Sequence, residues 1–424
     1  MFAAYGKDAM KPLIFPIIAA ATPDDVNIEF YDDRIEPLPE NIDADIIAFS
    51  TETFAAKRTY ELCSKYKNEN NITVIGGFHP TCVPDEAEKH CDVVIIGDAE
   101  DTWGSFINDY KNNSLKKRYI SNSNFVLQYL NYNHICFSNK KYLPIGTVFF
   151  SRGCKFNCDF CSIKAVYPNK ILQKDKYIIQ QELKEIKEKV IFFIDDNIFS
   201  DKNSLMEFLD IIKPLNKRWA CQISIDIAMQ DDLLSIMKES GCFLVLIGFE
   251  SLNIDNLKEM NKKANINIEN YHKAVKNIYK HKLMIYATFI FGYDYDKFDD
   301  IDTLVEFAIK HNFAVANFNP LIPMPNTKLY KRLESQGRLL YDKWWLQEGL
   351  CYGETVFKPS MMTPKELEQA CKKARYSFYS IKNILKRFIF NASNHSIKNA
   401  FVYLAANIVS RIEIHKKQNR EFGR

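Results

Sequence analysis

The stretch Thr147-Val148-Phe149-Phe150-Ser151-Arg152-Gly153-Cys154-Lys155-Phe156-Asn157-Cys158-Asp159-Phe160-Cys161 decides the fold. Its first four residues are β-branched or aromatic and read as a strand. The strand runs straight into a loop whose three cysteines are spaced C-x3-C-x2-C. Three thiolates on one loop can hold three irons of a four-iron cluster. The fourth iron then lacks a protein ligand, and an open position is what a metal needs to activate a bound molecule. Three buried thiols or a zinc site are the competing readings. Zinc asks for a fourth protein ligand, and none follows at close spacing.

Outward from that loop, apolar runs recur downstream at Val190–Ile194, Trp219–Ile223, Phe243–Phe249, Met284–Phe291 and Val315–Leu321. Helical patterns such as Ile178–Lys189 and Ile268–His281 lie between them. Together with Thr147–Phe150 they make six strand–helix units over residues 147–335, the pattern of a partial (β/α)6 barrel. In such barrels chemistry sits at the carboxyl ends of the strands.

Upstream, residues 1–110 alternate short strands with helical stretches. Strands are expected at Val26–Tyr31, Ala44–Phe49, Ile72–Ile75 and Val93–Ile96. The last three end at Ser50-Thr51, Gly76-Gly77 and Gly97-Asp98. This predicts a Rossmann-like parallel sheet covered on both faces. Ligands of such sheets bind beyond the carboxyl ends, where these glycines stand. The class is α/β. Residues 111–146 are polar and read as a connector with some extended structure.

Residues 336–424 read as a helical, basic C-terminal region. From Lys372 to Arg424 twelve Lys and Arg face only Glu413 and Glu421, and the apolar clusters Ile384-Leu385, Phe388–Phe390 and Phe401–Ala406 interleave with them. Two readings stay open: a solvated helical cap on the barrel, or basic amphipathic helices that contact a membrane surface or guide a greasy substrate.

The bulk numbers narrow the class. A chain of 424 residues is too long for one ordinary domain. A net charge of only +3 gives no reason to expect a nucleic-acid partner, and the apolar clusters of the tail read as helix faces rather than base-stacking platforms. Lys11, Pro12 and Pro16 interrupt the apolar start, which lacks the features of an export signal. No run reaches the ~18 apolar residues of a membrane span. Eleven cysteines in such a chain point to thiols or metal ligands rather than disulfides, and to a cytoplasmic protein. Of the eight outside the loop, most read as inert buried thiols; Cys351, after the barrel, stays open as a ligand or acid.

The C-x3-C-x2-C loop after a strand, with Phe160 before the last cysteine, resembles the radical S-adenosylmethionine (SAM) superfamily. There the open iron chelates the amino and carboxylate groups of SAM, and reduction cleaves SAM to a 5′-deoxyadenosyl radical. The resemblance implies that Cys154, Cys158 and Cys161 are the metal ligands and catalytic centre, with SAM lying across the strand tops. Asp196 and Asn197, where many relatives carry Gly-Gly-Glu, then offer acceptors to the SAM amino group; a helix N-cap is the alternative for either. Ser224 suits the ribose or methionyl part, and Glu250 the ribose hydroxyls. Lys262 meets the SAM carboxylate or is simply a solvated lysine in Asn261-Lys262-Lys263. Ala287–Tyr293 resembles the G-x-I-x-G-x-x segment along adenine, which makes Thr288 and Gly292 candidates; only Gly292 keeps the glycine.

Gly76-Gly77-Phe78-His79-Pro80, Gly97-Asp98-Ala99-Glu100, Gly241–Glu250 and Pro323–Tyr330 resemble the cobalamin-binding-domain (B12-binding) radical SAM enzymes, as does the order of domains. The resemblance covers most of the chain. It implies cobalamin as a further cofactor, with Gly76, Gly77, His79, Gly97 and Glu100 as binding candidates in a pocket facing the barrel mouth. Glycines let backbone approach a large flat ligand closely; a tight strand–helix turn is the alternative for Gly76-Gly77. Two features depart from the pattern. No Asp-x-His-x-x-Gly motif is present, so His79 is not expected to ligate cobalt. The usual first strand is missing, and Lys11-Pro12-Leu13-Ile14 stands where relatives have already passed it.

The function implied is a radical SAM enzyme that functionalises an unactivated C–H bond, by cobalamin-dependent methyl transfer to a small-molecule or lipid-like substrate. An external electron donor such as flavodoxin or ferredoxin supplies reduction. Cobalamin-independent cyclisation, ring contraction or C–C coupling is the alternative. A non-catalytic metal or cobalamin carrier is the reading from another class, and the complete thiol motif argues against it. Trp344, Trp345, Tyr352 and Phe357 either line the substrate pocket or pack barrel against tail.

Overall fold

A computed structural model describes residues 9–122, 125–130, 135–168, 170–198, 202–265, 267–417 and 420–423. The chain divides into two compact units. One comprises Met1–Gly153, Ala165–Ile194 and Gly423–Arg424; the other comprises Cys154–Lys164 and Asp195–Phe422.

The first unit holds a parallel sheet of β1 (Ile46–Ser50), β2 (Ile72–Gly76), β3 (Val93–Ile96) and β4 (Arg118–Ile120), side by side in chain order. β1 and β2 pair residue for residue from Ile46–Ile72 to Ser50–Gly76, so their carboxyl ends lie together. Val74, Val93, Ile95, Trp103, Phe106 and Tyr119 form the core between the sheet and the helix Ala99–Lys111. Ile47, Leu62 and Tyr66 do the same for the helix Ala56–Tyr66. β4 arises from the connector region, as an edge strand whose Ile120 is exposed.

No strand forms over Val26–Tyr31; the first strand of the sheet is Ile46–Ser50. The period-two pattern Val26-x-Ile28-x-Phe30 is met differently. Phe30 packs on Phe15 of the helix Ile14–Ala21, with ring centroids 4.7 Å apart, and the backbone forms no ladder with a neighbouring strand. Alternation reports a half-buried extended segment, which need not be hydrogen-bonded into a sheet.

The same unit carries β5 (Gly146–Val148), β6 (Ser151–Arg152), β7 (Leu172–Gln173) and β8 (Val190–Phe193); β5 pairs parallel with β8, and β6 antiparallel with β7. The helix expected at Ile178–Lys189 runs over Lys176–Glu185, started by the Asp175 side chain accepting from the Tyr177 N–H. Beneath it the Lys174 ammonium and Glu182 carboxylate pair at 2.6 Å, both fully buried, and Glu182 also accepts from the Leu130 N–H at 2.8 Å.

In the second unit β9 (Arg218–Gln222), β10 (Cys242–Glu250), β11 (Met284–Phe291) and β12 (Val315–Pro320) run parallel, in the order expected of the barrel strands. Val245, Ile247, Phe249, Ala287, Phe289 and Phe318 are buried along them. Helices Pro364–Phe378, Ile381–Ile389 and Ile397–Lys417 complete the unit. One cation of this tail, Arg387, is fully buried. It donates to the carbonyls of Phe313 (2.7 Å), Ala314 (3.2 Å) and Phe378 (2.9 Å) and to Asn407 (2.9 Å), so here a charge serves as a structural pin. Among the described residues no helix is long and apolar enough to cross a membrane.

Candidate active site

Cys154, Cys158 and Cys161 lie in the second unit as free, half-buried thiols. Burial pushes the Cys158 thiol up to about 12; the Lys262 charge opposes this, while Cys161, Glu250 and Cys154 reinforce it. Burial likewise raises Cys161, which also feels Cys154 and Asp196. The three thiols therefore share one electrostatic neighbourhood with Lys262, Glu250 and Asp196. Among the described residues no three His, Cys, Asp or Glu side chains close round a single metal ion. Three unpaired thiols spread along one loop, beside an ammonium, are a donor set suited to a polynuclear iron–sulfur cluster.

The loop is anchored through its middle residue. The Asp159 N–H donates to Met260 O and the Leu329 N–H donates to Asp159 O, each at 3.1 Å. The Asp159 carboxylate accepts from the Tyr293 hydroxyl, and the Arg332 guanidinium lies 3.7 Å away. Phe160 meets the Tyr293 ring edge-on at 6.4 Å. On the other side Asn261 donates to Asn157 O at 2.8 Å, and Lys155 pairs with Asp226 at 2.8 Å.

Glu250 closes β10 with a left-handed backbone, φ +65°, and is buried. A non-glycine residue there carries strain that the surroundings must enforce. Lys262 supplies part of that enforcement by an ion pair with the Glu250 carboxylate, and its ammonium stands 5.9 Å over the Phe160 ring. Lys262 is thus a half-buried, partnered cation rather than a solvated one. Gly248 makes room for the pair: a Cβ there would lie 2.1 Å from Glu250 Oε1 and 2.7 Å from Lys262 Nζ. Asn265 holds the strand end by donating to Gly248 O at 2.9 Å.

Asn197 donates weakly to Ser224 Oγ at 3.4 Å, while its own amide oxygen is buried without a partner. An acceptor left open beside the thiol loop is what an ammonium or hydroxyl of a bound SAM would satisfy. Residues 196–198 form a bend rather than the first turn of a helix, so neither Asp196 nor Asn197 is followed directly by helix. Ser224 opens the helix Ile225–Ala228 and donates to Asp226. Thr288 stands on β11 opposite Asn317 of β12. Gly292, at φ +104°, reaches the loop through its neighbour Tyr293; a Cβ there would meet Leu367 at 2.7 Å. Cys351 points its thiol at Gly349 O and lies far from the thiol loop in sequence.

In the first unit the loops after β1, β2 and β3 line one sheet edge. Gly77, at φ +107°, lets its loop touch the Thr51 backbone, which a Cβ would approach to 2.8 Å; Gly97, at φ +87°, does the same against Ser121. The Gly76-Gly77 pair therefore makes a tight strand–helix turn. His79 is fully buried, with Nε2 3.0 Å from the Tyr60 hydroxyl and 3.2 Å from Glu86, and Nδ1 3.4 Å from Thr53. Glu100 is held by Arg152, whose guanidinium bridges Glu100 and Asp98 at 2.6 Å each. Tyr167 adds a hydrogen bond to Asp98 at 2.6 Å.

Compared with known families, residues 148–308 match the Radical SAM superfamily and residues 11–106 match the B12 binding domain. The chain carries a radical SAM domain and a B12-binding domain. Its cofactors are accordingly a [4Fe-4S] cluster, SAM and cobalamin. Among curated proteins this radical SAM protein is 29% identical to a bacteriochlorophyllide d C-12(1)-methyltransferase of Chlorobaculum tepidum, over 89% of the chain and 84% of that protein. It is 27% identical to the C-8(2)-methyltransferase of the same organism, over 90% and 89%. A hopanoid C-2 methylase of Rhodopseudomonas palustris is 23% identical over 78% and 66%. Among solved structures, the radical SAM methyltransferase TsrM of Kitasatospora setae, with cobalamin and [4Fe-4S] cluster bound, superposes with TM-score 0.63 at 13% identity, covering 85% of this chain and 79% of that one; the likeness is one of fold.

Asp159, Tyr293, Arg332, Arg152 and Asp98 are neighbours of the candidate residues that sequence reasoning does not itself single out. Asp159 and Arg152 stand inside the decisive stretch, Tyr293 follows Gly292 and Asp98 follows Gly97, so position alone is a usable signal for four of the five.

Proposed function

We propose that this radical SAM protein transfers a methyl group to an unactivated carbon of a small-molecule or lipid-like substrate. The observation that carries the reading is the union, in one chain, of the three-thiol loop with a B12-binding sheet edge, over a length shared with methyltransferases. When bound, the cluster and SAM supply a radical able to take hydrogen from an inert C–H bond, and cobalamin supplies the methyl group.

The chain's own residues bind and orient. Cys154, Cys158 and Cys161 hold the cluster, and Asp159, pinned by Tyr293, fixes the loop that carries them. The Lys262 ammonium neutralises charge beside the thiolates and, with Glu250 and Asn197, offers paired donors and acceptors to the zwitterionic and ribose ends of SAM. Asp196, Ser224, Thr288 and Gly292 complete that wall, with Phe160 as its apolar face. Thr51, Gly76, Gly77, Gly97 and Asp98 present backbone to cobalamin, while His79 and Glu100 brace the loops from inside. The working division is a cobalamin domain at 1–110, a connector at 111–146, the radical SAM barrel at 147–335 and the helical region at 336–424. The protein takes electrons from a flavodoxin or ferredoxin in the cytoplasm.

Cyclisation or coupling without methyl transfer is the second reading, and the absence of a strand over residues 26–31 from the sheet of the first unit is the observation on its side. Product mass separates the two. Anaerobic turnover with isotope-labelled methyl-SAM and cell extract as substrate source should give a product heavier by one labelled CH2. An unchanged or hydrogen-depleted mass selects the second reading. The same experiment with Cys158→Ala should give neither.

A further inference from the structure

The last two long helices carry apolar side chains on the face turned away from the protein. On Ile381–Ile389, Ile381, Leu385 and Ile389 are exposed at spacings of four. On Ile397–Lys417, Ile397, Phe401 and Ile408 are exposed at spacings of four and seven, Ile397 to 91% and Phe401 to 74%. These spacings put each trio on one helix stripe. The opposite faces converge inward: Arg387 of the first helix bonds Asn407 of the second at 2.9 Å, and Tyr403 donates to Ile384 O at 2.7 Å. Both stripes are thus left over after the pair has packed.

Exposed apolar residues gathered in this way mark a contact surface. Its chemistry is set by the charges beside it. Lys382, Lys386, Lys398 and Lys416 are all exposed, and Glu413 is the one acidic residue between 381 and 417. A second copy of this chain would bring these lysines against their own kind. An anionic surface with an apolar interior complements both features.

We propose that the helices Ile381–Ile389 and Ile397–Lys417 dock the protein in the interface of an anionic lipid bilayer, with the isoleucine and phenylalanine stripe buried among acyl chains and the lysines on the head groups. A helix of this make-up lies in the interfacial plane rather than crossing it. The function of such docking is access: a greasy substrate partitions into the same layer.

The test is flotation of the full-length protein with phosphatidylcholine vesicles, with and without phosphatidylglycerol. Binding is expected to the anionic vesicles, to weaken with added salt, and to fall about fivefold for each of Lys382→Gln and Lys386→Gln. Ile397→Ser with Phe401→Ser should lower it about tenfold or more at unchanged salt dependence. All four side chains are exposed, and an unchanged thermal melt verifies the fold of each variant. Absence of flotation, or equal binding to neutral and anionic vesicles, overturns the proposal. So does a dimer in sedimentation that the Ile397 and Phe401 changes dissolve.

Discussion

Lys262 reaches back twelve residues to pair with the carboxylate of Glu250, a residue that β10 holds in a left-handed conformation, and Gly248 is the empty space that lets them meet. Two charges, one strained backbone position and one glycine thus form a single device beside the thiol loop. Replacing Gly248 by Ala puts a methyl group where Glu250 Oε1 and Lys262 Nζ now lie. The expected outcome for Gly248→Ala is a cluster of normal absorbance with 5′-deoxyadenosine release reduced at least tenfold. Equal loss of cluster and cleavage would show that the pair holds the loop rather than the co-substrate.

Asp159 tests the other side of the loop. Tyr293→Phe removes the hydroxyl donor and leaves a buried carboxylate short of one partner, a change worth ~1–3 kcal/mol. Its effect should appear locally. Iron per chain after gel filtration is expected to drop, and the cluster to bleach faster under a chelator, while the far-ultraviolet spectrum stays that of the parent. The substitution keeps the aromatic ring that meets Phe160 edge-on, so the loss reports the hydroxyl and not the packing. Iron content and bleaching equal to the parent would mean that the backbone bonds of Asp159 hold the loop unaided.

How far the sequence reveals this site depends on how each part is encoded. The thiol loop is legible because covalent spacing alone brings its ligands together. Lys262 is legible as a candidate only; its burial and its partner come from the turn after β10, which spacing does not disclose. Arg152 stands one residue before Gly153 in the decisive stretch, yet its partners Asp98 and Glu100 lie more than fifty positions earlier. Such ion pairs are fixed by tertiary packing. The strand expected at Val26–Tyr31 is absent for a related reason: an alternating apolar pattern does not by itself supply a strand partner, and here Phe30 packs on Phe15 while Ile28 stays exposed. The parallel strands are readable because they are continuous apolar runs closed by turn residues, a signal that needs no partner to read.

Arg152 joins two buried carboxylates, so removing it strands both. Loss of one member of a buried ion network costs ~3–5 kcal/mol, because the remaining charges have no water to return to. Arg152→Met is expected to destabilise the first unit by that order, seen as an earlier urea transition, whereas Arg152→Lys keeps one contact and falls between. A transition unchanged in Arg152→Met would mean that Tyr167 alone satisfies Asp98.

Glu259 gives a pH signature with a defined sign. It sits 2.7 Å from the Arg332 guanidinium, beside Asp294 and Asp159. Burial, with a hydrogen bond shared with Asp294, raises its pKa from 4.5 to about 7; Asp294 is correspondingly held low, chiefly by hydrogen bonds from Ser360, Arg332 and Arg338 against the opposing effect of burial. The folded state therefore keeps a proton on Glu259 that the unfolded chain releases above about pH 4.5. More protons bound in the folded state means that stability falls as pH rises. The contribution is present below pH 4.5 and lost by about pH 7. Since the group is partly exposed, solvent screening reduces the effect to ~1 kcal/mol. Glu259→Gln keeps an N–H for Asp294 and a carbonyl for Arg332 without titrating. Melting temperature plotted from about pH 5 to pH 8 should decline less in Glu259→Gln than in the parent, the two curves meeting at the acid end. Parallel curves would mean that Glu259 is ionised throughout and that Arg332, rather than the shared proton, holds the cluster of carboxylates together.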